Sequence, residues 1–287
     1  MEPVSYDDTG KISFDHIYDQ PDPRAYFATL RRLGYCIPEL ARPYFAALLE
    51  RRRRARGGTS TMLDIGCSYG INAALLRCGL TMADLYHRYC DDGAPSLDGA
   101  ALLARDQQLV AARGQTPGTR FAGLDTSRPA LSYAARAGFL DAAVHGDLEA
   151  AGPPPDQRAK LAQADLIVST GCIGYVTERT ISRVLAASED RQPWLAHFVL
   201  RMFSFEPVAD CLAGFGYQTV GYERVFKQRR FASAHEQALV LDTLTEVGVD
   251  PGGLEAGGWL YARLFVSWPR AEVSHPGVDL DRDLKEH

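Results

Sequence analysis

"TMLDIGCSYGINAALL", residues 61–76, decides the fold. An apolar run of strand length reaches Asp64-Ile65 and meets a loop with a glycine at each end, Gly66 and Gly70. Ile71 to Leu76 then return to helix-forming residues. A short, continuously apolar strand running into a tight turn and a helix is the opening of a βα unit in a parallel sheet covered on both faces. Glycine at both ends lets the backbone turn sharply and lets a ligand approach the main chain. The loop spells D-x-G-x-x-x-G, which is not the G-x-G-x-x-G dinucleotide fingerprint. It also carries Tyr69 where such loops usually have small residues. At a loop position core packing is less expected of this ring, and a ligand-facing role stands beside it.

Outward from this unit, strand and helix patterns alternate. "TRFAGLDTS" (119–127), "DAAVHGDLE" (141–149), "ADLIVSTG" (164–171) and "HFVLRMFSF" (197–205) read as further strands. "RPALSYAARAG" (128–138) and "TERTISRVLAAS" (177–188) read as helices between them. Such alternation predicts a Rossmann-like α/β fold, mostly parallel, with crossover helices on both faces. "YQTVGYERVFKQRRF" (217–231) and "WLYARLFVSWP" (259–269) fit a closing antiparallel pair.

Residues 1–60 read as an N-terminal helical hood before a core of residues 61–270. Asp22-Pro23 is a helix start signal, and Tyr26, Phe27, Leu30 and Leu33 follow at helical spacing. A second helix, "PELARPYFAALLERRRR" (38–54), is expected to break or kink at Pro43. Residues 79–118 exceed what one crossover helix needs and read as a helical insertion with a Gly/Pro/Ser break at Gly93 to Ser96. Residues 271–287 form a polar tail.

Composition bounds the function. The 287 residues are 46% hydrophobic and 23% charged, with a formal net charge of −5. That balance offers no global basic field for nucleic acid, and the run Arg51 to Arg54 reads as a solvated helix end. None of the six cysteines forms a CxxC pair and no histidine cluster has metal-ligand spacing, so no metal is expected. The start is acidic and polar without a secretory-signal pattern, and no apolar run approaches the roughly 20 residues that span a bilayer. A cytoplasmic enzyme acting on a small molecule is the expectation; oligomeric state is left open.

In open parallel sheets ligands bind beyond the carboxyl ends of the strands. Here those ends read Asp64 to Gly70, Leu124-Asp125-Thr126, Gly146-Asp147-Leu148 and Ser169-Thr170-Gly171-Cys172. An acid after the second strand suits both hydroxyls of a ribose, and an acid after the third suits an exocyclic amine. Loop, ribose acid and amine-reading acid in this order resemble the class I S-adenosylmethionine-dependent methyltransferase superfamily over roughly residues 60–270. The resemblance implies that Asp64, Gly66, Cys67, Ser68, Tyr69 and Gly70 wrap the methionine part of S-adenosylmethionine. It implies that Asp125 and Thr126 hold the ribose, Asp147 and Leu148 the adenine, and that Thr170 lies beside them. The insertion is a departure, because it lengthens the usual distance from the loop to the ribose acid.

A narrower resemblance joins "LDIGCSYGINAALL", "STGCIGYVTERT" and "FVLRMFSFEPVADCLAGFGYQT" with the upstream "YDQPDPRAYFATLRRLGYCIPE". These stretches resemble the bacterial azetidine-2-carboxylate synthases. It implies that the α-amine of S-adenosylmethionine attacks its own γ-carbon, a four-membered ring closes and methylthioadenosine leaves. Tyr175 and Ser204 are then the hydroxyls expected to orient the amine. Tyr18, Tyr26 and Phe27 on the hood, with Tyr69, are expected to face the sulfonium or exclude water. Two other readings stay open: a small-molecule methyltransferase that uses the hood as an acceptor lid, and a non-catalytic S-adenosylmethionine-binding protein.

Overall fold

The computed structural model describes residues 15–114 and 116–272; the polar lead-in of residues 1–14 and the tail from 273 lie outside the described residues. Three helices come first, α1 (Asp15–Tyr18), α2 (Arg24–Arg32) and α3 (Ile37–Arg56). Strand β1 (Ser60–Ile65) leads into α4 (Ile71–Cys78), and the long interval that follows holds α5 (Met82–Cys90) and α6 (Gly99–Arg113). Alternation continues with β2 (Thr119–Asp125), α7 (Arg128–Ala137), β3 (Ala142–His145), α8 (Pro155–Leu161), β4 (Leu166–Thr170), α9 (Glu178–Ala187) and β5 (Trp194–Leu200). The chain then runs through α10 (Glu206–Gly214), β6 (Tyr217–Arg230), α11 (Ala234–Glu246) and β7 (Trp259–Pro269).

The seven strands form one sheet in the order β3-β2-β1-β4-β5-β7-β6. Strands β1 to β5 are parallel, and β7 runs antiparallel between β5 and β6. This is a Rossmann-like, doubly wound fold, mostly parallel, with the antiparallel closing pair expected from the sequence. Strands β1 and β5 are buried along their whole length, which is why both read as apolar runs without alternation. One face of the sheet is covered by a cluster that includes Phe45, Leu48, Phe121, Phe198 and Phe226. The other is covered through Leu161, Ile181, Val184 and Leu212 of α8, α9 and α10.

Local chemistry fixes the helix starts. Thr81 and Asp84 form a reciprocal capping box on α5, while Asp98, Ser127 and Ser233 each accept a first-turn N–H of α6, α7 and α11. Each such cap contributes about 1 kcal/mol.

Several expectations change. Helix α3 is not part of a separate hood: its Ile37, Tyr44, Phe45 and Leu48 are buried in the cluster on the sheet, which leaves α1 and α2 as the hood. It also runs unbroken through Pro43. Arg52, placed by the sequence on a solvated end, is buried at 3% exposure. It pairs with Glu272 at 2.8 Å and donates to the carbonyls of Arg191 and Gln192. Strand β5 starts three residues earlier than expected and ends before Arg201, so Ser204 sits in the turn into α10. Helix α11, between the two closing strands, was not anticipated. The insertion acquires a purpose: Leu85, Tyr89 and Leu102 from α5 and α6 share a cluster with Tyr26, Phe27 and Leu30 of α2. Arg24 reinforces that seat by donating to the carbonyl of Leu97 at 2.8 Å.

Candidate active site

The parallel strand order reverses at β1, between β2 and β4, and an open sheet places its ligand crevice at such a switch point. A cavity of about 850 Å³ opens there. Its floor is made by strand ends and its roof by α1, α2 and the turn into α3.

The β1–α4 loop is the first wall. Gly66 and Gly70 take φ of 70° and 74°, and Ser68 takes 49°. A Cβ on Gly66 would stand 2.9 Å from the Cβ of Cys172, so that position admits no side chain. A non-glycine residue in the left-handed region is held there at a cost. Ser68 has its restraint, since its N–H donates to Oδ2 of Asp125 at 2.8 Å. The other oxygen of Asp125 accepts from the N–H of Ser127 at 2.8 Å. Asp125 therefore splints the end of β2 to the β1 loop, and burial pushes its carboxyl up against the pull of these hydrogen bonds.

Asp64 lies at the bottom of the loop, 1% exposed. Burial pushes its carboxyl up to about 8, against a hydrogen bond from Asn72 and with a further upward push from the charge of Asp125. The Asn72 amide donates to Oδ2 of Asp64 at 3.1 Å and to Oγ1 of Thr170 at 3.2 Å, linking the ends of β1 and β4. On the far side, Oδ1 of Asp147 accepts from the N–H groups of Glu149 and Ala150 at 2.8 and 3.3 Å, while the buried Leu148 packs beneath.

Tyrosines build the roof. Tyr18 and Tyr26 meet edge to face at 5.7 Å and Tyr26 meets Tyr35 at 6.4 Å. All three line the cavity. Tyr175 stands at the mouth, 44% exposed, with its ring 6.3 Å from that of Phe203.

Of the residues expected from the sequence, Asp64, Gly66, Cys67, Ser68, Asp125, Thr126, Asp147, Leu148, Thr170, Tyr175, Tyr18 and Tyr26 line this one cavity. Four expected residues do not. Tyr69 is 1% exposed and turned away from the cavity into the hood, where its hydroxyl donates to the carbonyls of Ile17 and Gln20 at 3.2 and 2.9 Å. Its ring packs against Tyr26 and Tyr133. The loop accepts a tyrosine because α1 and the turn that follows it supply acceptors for its hydroxyl. Gly70 faces the core, where a Cβ would lie 3.2 Å from that of Ala134. Phe27 stacks on Tyr89 at 4.5 Å and holds the hood on the insertion. Ser204 lines a separate cavity beside Arg263 and Phe265, and its hydroxyl accepts the N–H of Glu206 at the start of α10.

The sequence reading missed Asn72, Gln228 and Tyr35 as lining residues, and placed Cys172 at the end of the fourth strand without giving it a role. Asn72 left a signal, as the one polar residue within an apolar helix start. Gln228 left none, because it reaches the cavity through an irregularity in β6.

No protein-family model matches the chain, and no curated protein matches it in sequence. Among solved structures, the precorrin-8w decarboxylase of Methanobacterium thermoautotrophicum is 14% identical, over 79% of this chain and 88% of that one, with a TM-score of 0.38. The magnesium protoporphyrin IX methyltransferase of Synechocystis, solved with bound S-adenosylmethionine, is 12% identical over 78% and 77%, with a TM-score of 0.38. The geranyl diphosphate C-methyltransferase of Streptomyces coelicolor is 11% identical over 89% and 87%, with a TM-score of 0.39. At these identities none of their substrates or reactions carries over to this chain.

Proposed function

We propose that this chain is an S-adenosylmethionine-dependent enzyme that forms azetidine-2-carboxylate and methylthioadenosine from its single substrate. The observation that carries this reading is the pairing, around one cavity, of strand-end carboxylates Asp64, Asp125 and Asp147 with a roof of three tyrosines. The residues suit the ligand. Buried polar atoms of Asp64, Ser68 and Asn72 have no hydrogen-bond partner among the described residues.

Asp125 and Thr126 hold the ribose, and Asp147 accepts from the adenine amine. Asp64, Asn72 and Thr170 receive the amino-acid arm. The phenol faces of Tyr18, Tyr26 and Tyr35 stand against the sulfonium, each such contact contributing about 0.5–2 kcal/mol. The substrate supplies both reacting centres: its amine lone pair forms the nitrogen–γ-carbon bond while the γ-carbon–sulfur pair departs with sulfur, and the ring nitrogen leaves as an ammonium. The protein's work is conformational, folding one arm into a near-attack geometry. Desolvation under the roof favours the neutral, nucleophilic amine over a pKa near 8 in water. Tyr175 at the mouth orients that amine.

The exposure of Tyr175 favours one second reading, methyl transfer to a small acceptor entering at that edge. Incubation of the protein with S-adenosylmethionine alone, followed by mass spectrometry, separates the two. Methylthioadenosine with an equimolar amino acid of azetidine-2-carboxylate mass supports cyclisation. Intact cofactor, in a protein that binds it, overturns cyclisation.

A further inference from the structure

Strand β6 is the edge of the sheet. Its register with β7 slips between Lys227 and Arg229, so Gln228 falls outside the ladder. Such irregularities re-aim a side chain and cluster beside functional sites. Here the main chain at and just beyond the slip also bonds to the turn between α2 and α3. The carbonyl of Gln228 accepts the N–H of Cys36 at 2.9 Å, and the N–H of Arg230 donates to the carbonyl of Leu33 at 2.7 Å. The turn between α2 and α3 is thereby sewn to β6, and Gln228 becomes part of the cavity wall, 5% exposed.

The Gln228 amide packs on the main chain of Gly171, where any Cβ would collide with it. Gly171 follows Thr170, the last member of the hydrogen-bonded chain Asp64–Asn72–Thr170. Three buried oxygens in this neighbourhood have no partner among the described residues: the amide acceptors Oδ1 of Asn72 and Oε1 of Gln228, and Oδ1 of Asp64, whose carboxyl burial pushes up to about 8. The Asn72 amide is fixed in orientation because its nitrogen already donates twice. A buried acceptor without a donor is costly, and several around one cavity call for a ligand that supplies donors. A hydroxyl brings one hydrogen, and a carboxylate or a sulfonium brings none. A primary amine brings two and its ammonium three.

We infer that Gln228 is a ligand-binding residue that accepts a hydrogen bond from the primary amine of the substrate's amino-acid arm. The inference rests on the proposed S-adenosylmethionine site and adds to it a contact from the far edge of the sheet. A neutral amide suits the chemistry, because it orients an amine without the ion pair that would hold it protonated. The raised carboxyl of Asp64, at about 8, works in the same direction.

The test is calorimetric titration of the full chain with two ligands, S-adenosylhomocysteine, which carries the arm, and methylthioadenosine, which lacks the amine. Gln228→Met keeps length and bulk but removes the acceptor. It is expected to weaken S-adenosylhomocysteine roughly tenfold or more, leaving methylthioadenosine within about twofold. Gln228→Glu restores an acceptor and is expected to bind S-adenosylhomocysteine at least as tightly as the parent, which keeps the test open if the methionine variant fails to fold. Equal changes for both ligands, or none for either, overturn the role of Gln228 while the cofactor site stands. A parent protein that binds neither ligand overturns the cofactor site itself, and this inference with it.

Discussion

The hydroxyl of Tyr69 donates to the carbonyl oxygen of Gln20 at 2.9 Å, fastening the loop after β1 to the hood that roofs the cavity. A second bond reaches the carbonyl of Ile17 at 3.2 Å, so one side chain spans floor and roof. Tyr69→Phe removes only the hydroxyl and leaves two carbonyls of the hood without that donor. A loss of about 1–3 kcal/mol of stability is expected, read from urea denaturation. Substrate affinity should fall as well, since the roof loses its tether. Unchanged affinity with lowered stability would restrict Tyr69 to packing.

Asp125 carries a double load. It fixes Ser68 in its left-handed conformation and is the proposed partner of the ribose. Asp125→Ala is expected to weaken S-adenosylmethionine at least tenfold, roughly the loss of one or two charge-assisted hydrogen bonds. Asp125→Asn keeps an acceptor for only one of the two main-chain N–H groups and should fall between. Calorimetry with wild-type affinity for the alanine variant would remove Asp125 from the site.

Asp64 gives stability a pH dependence of defined sign. Its carboxyl titrates near 8 in the folded chain, against an ordinary value of 3.8. Between these values the folded state holds a proton that the unfolded chain has released, so this group's contribution is greatest below about pH 4 and declines as pH rises to about 8. Asp64→Asn removes that titration. Its melting temperature, compared with the parent from pH 5 to 9, should gain on the parent toward the alkaline end. A constant difference across the range would mean that Asp64 titrates normally.

The floor of the cavity was legible because its signals are local. A glycine-bracketed turn after an apolar strand and an acid at each following strand end depend on a few adjacent residues, and Asp64, Asp125 and Asp147 all arrived at one cavity. The roof was legible only in part. Tyr26 and Phe27 are consecutive on α2, yet one faces the cavity and the other stacks on Tyr89 of the insertion. Helical periodicity marks both as apolar and cannot say what each one meets. Tyr69 failed for a related reason: a loop aromatic reads as exposed until the short α1 is found lying across it. Gln228 depends on a register slip between strands distant in sequence, which no local pattern announces.

Tyr175 and Ser204 were paired by the sequence as two hydroxyls near strand ends, and the structure separates them. Ser204 accepts the N–H of Glu206 and faces the second cavity, whereas Tyr175 stands at the mouth of the first. Ser204→Ala should therefore leave the rate of methylthioadenosine formation within about twofold and cost at most about 1 kcal/mol of stability through the lost, exposed hydrogen bond to the Glu206 N–H. Tyr175→Phe should leave affinity for S-adenosylhomocysteine within about threefold and slow turnover by roughly 10–100-fold, as expected for a group that orients the reacting amine in the transition state. Both variants are read in one assay, single-turnover release of methylthioadenosine at saturating substrate. The reverse pattern, with the serine variant slow and the phenylalanine variant normal, would move the reacting centre to the cavity beside Arg263 and overturn the proposed site.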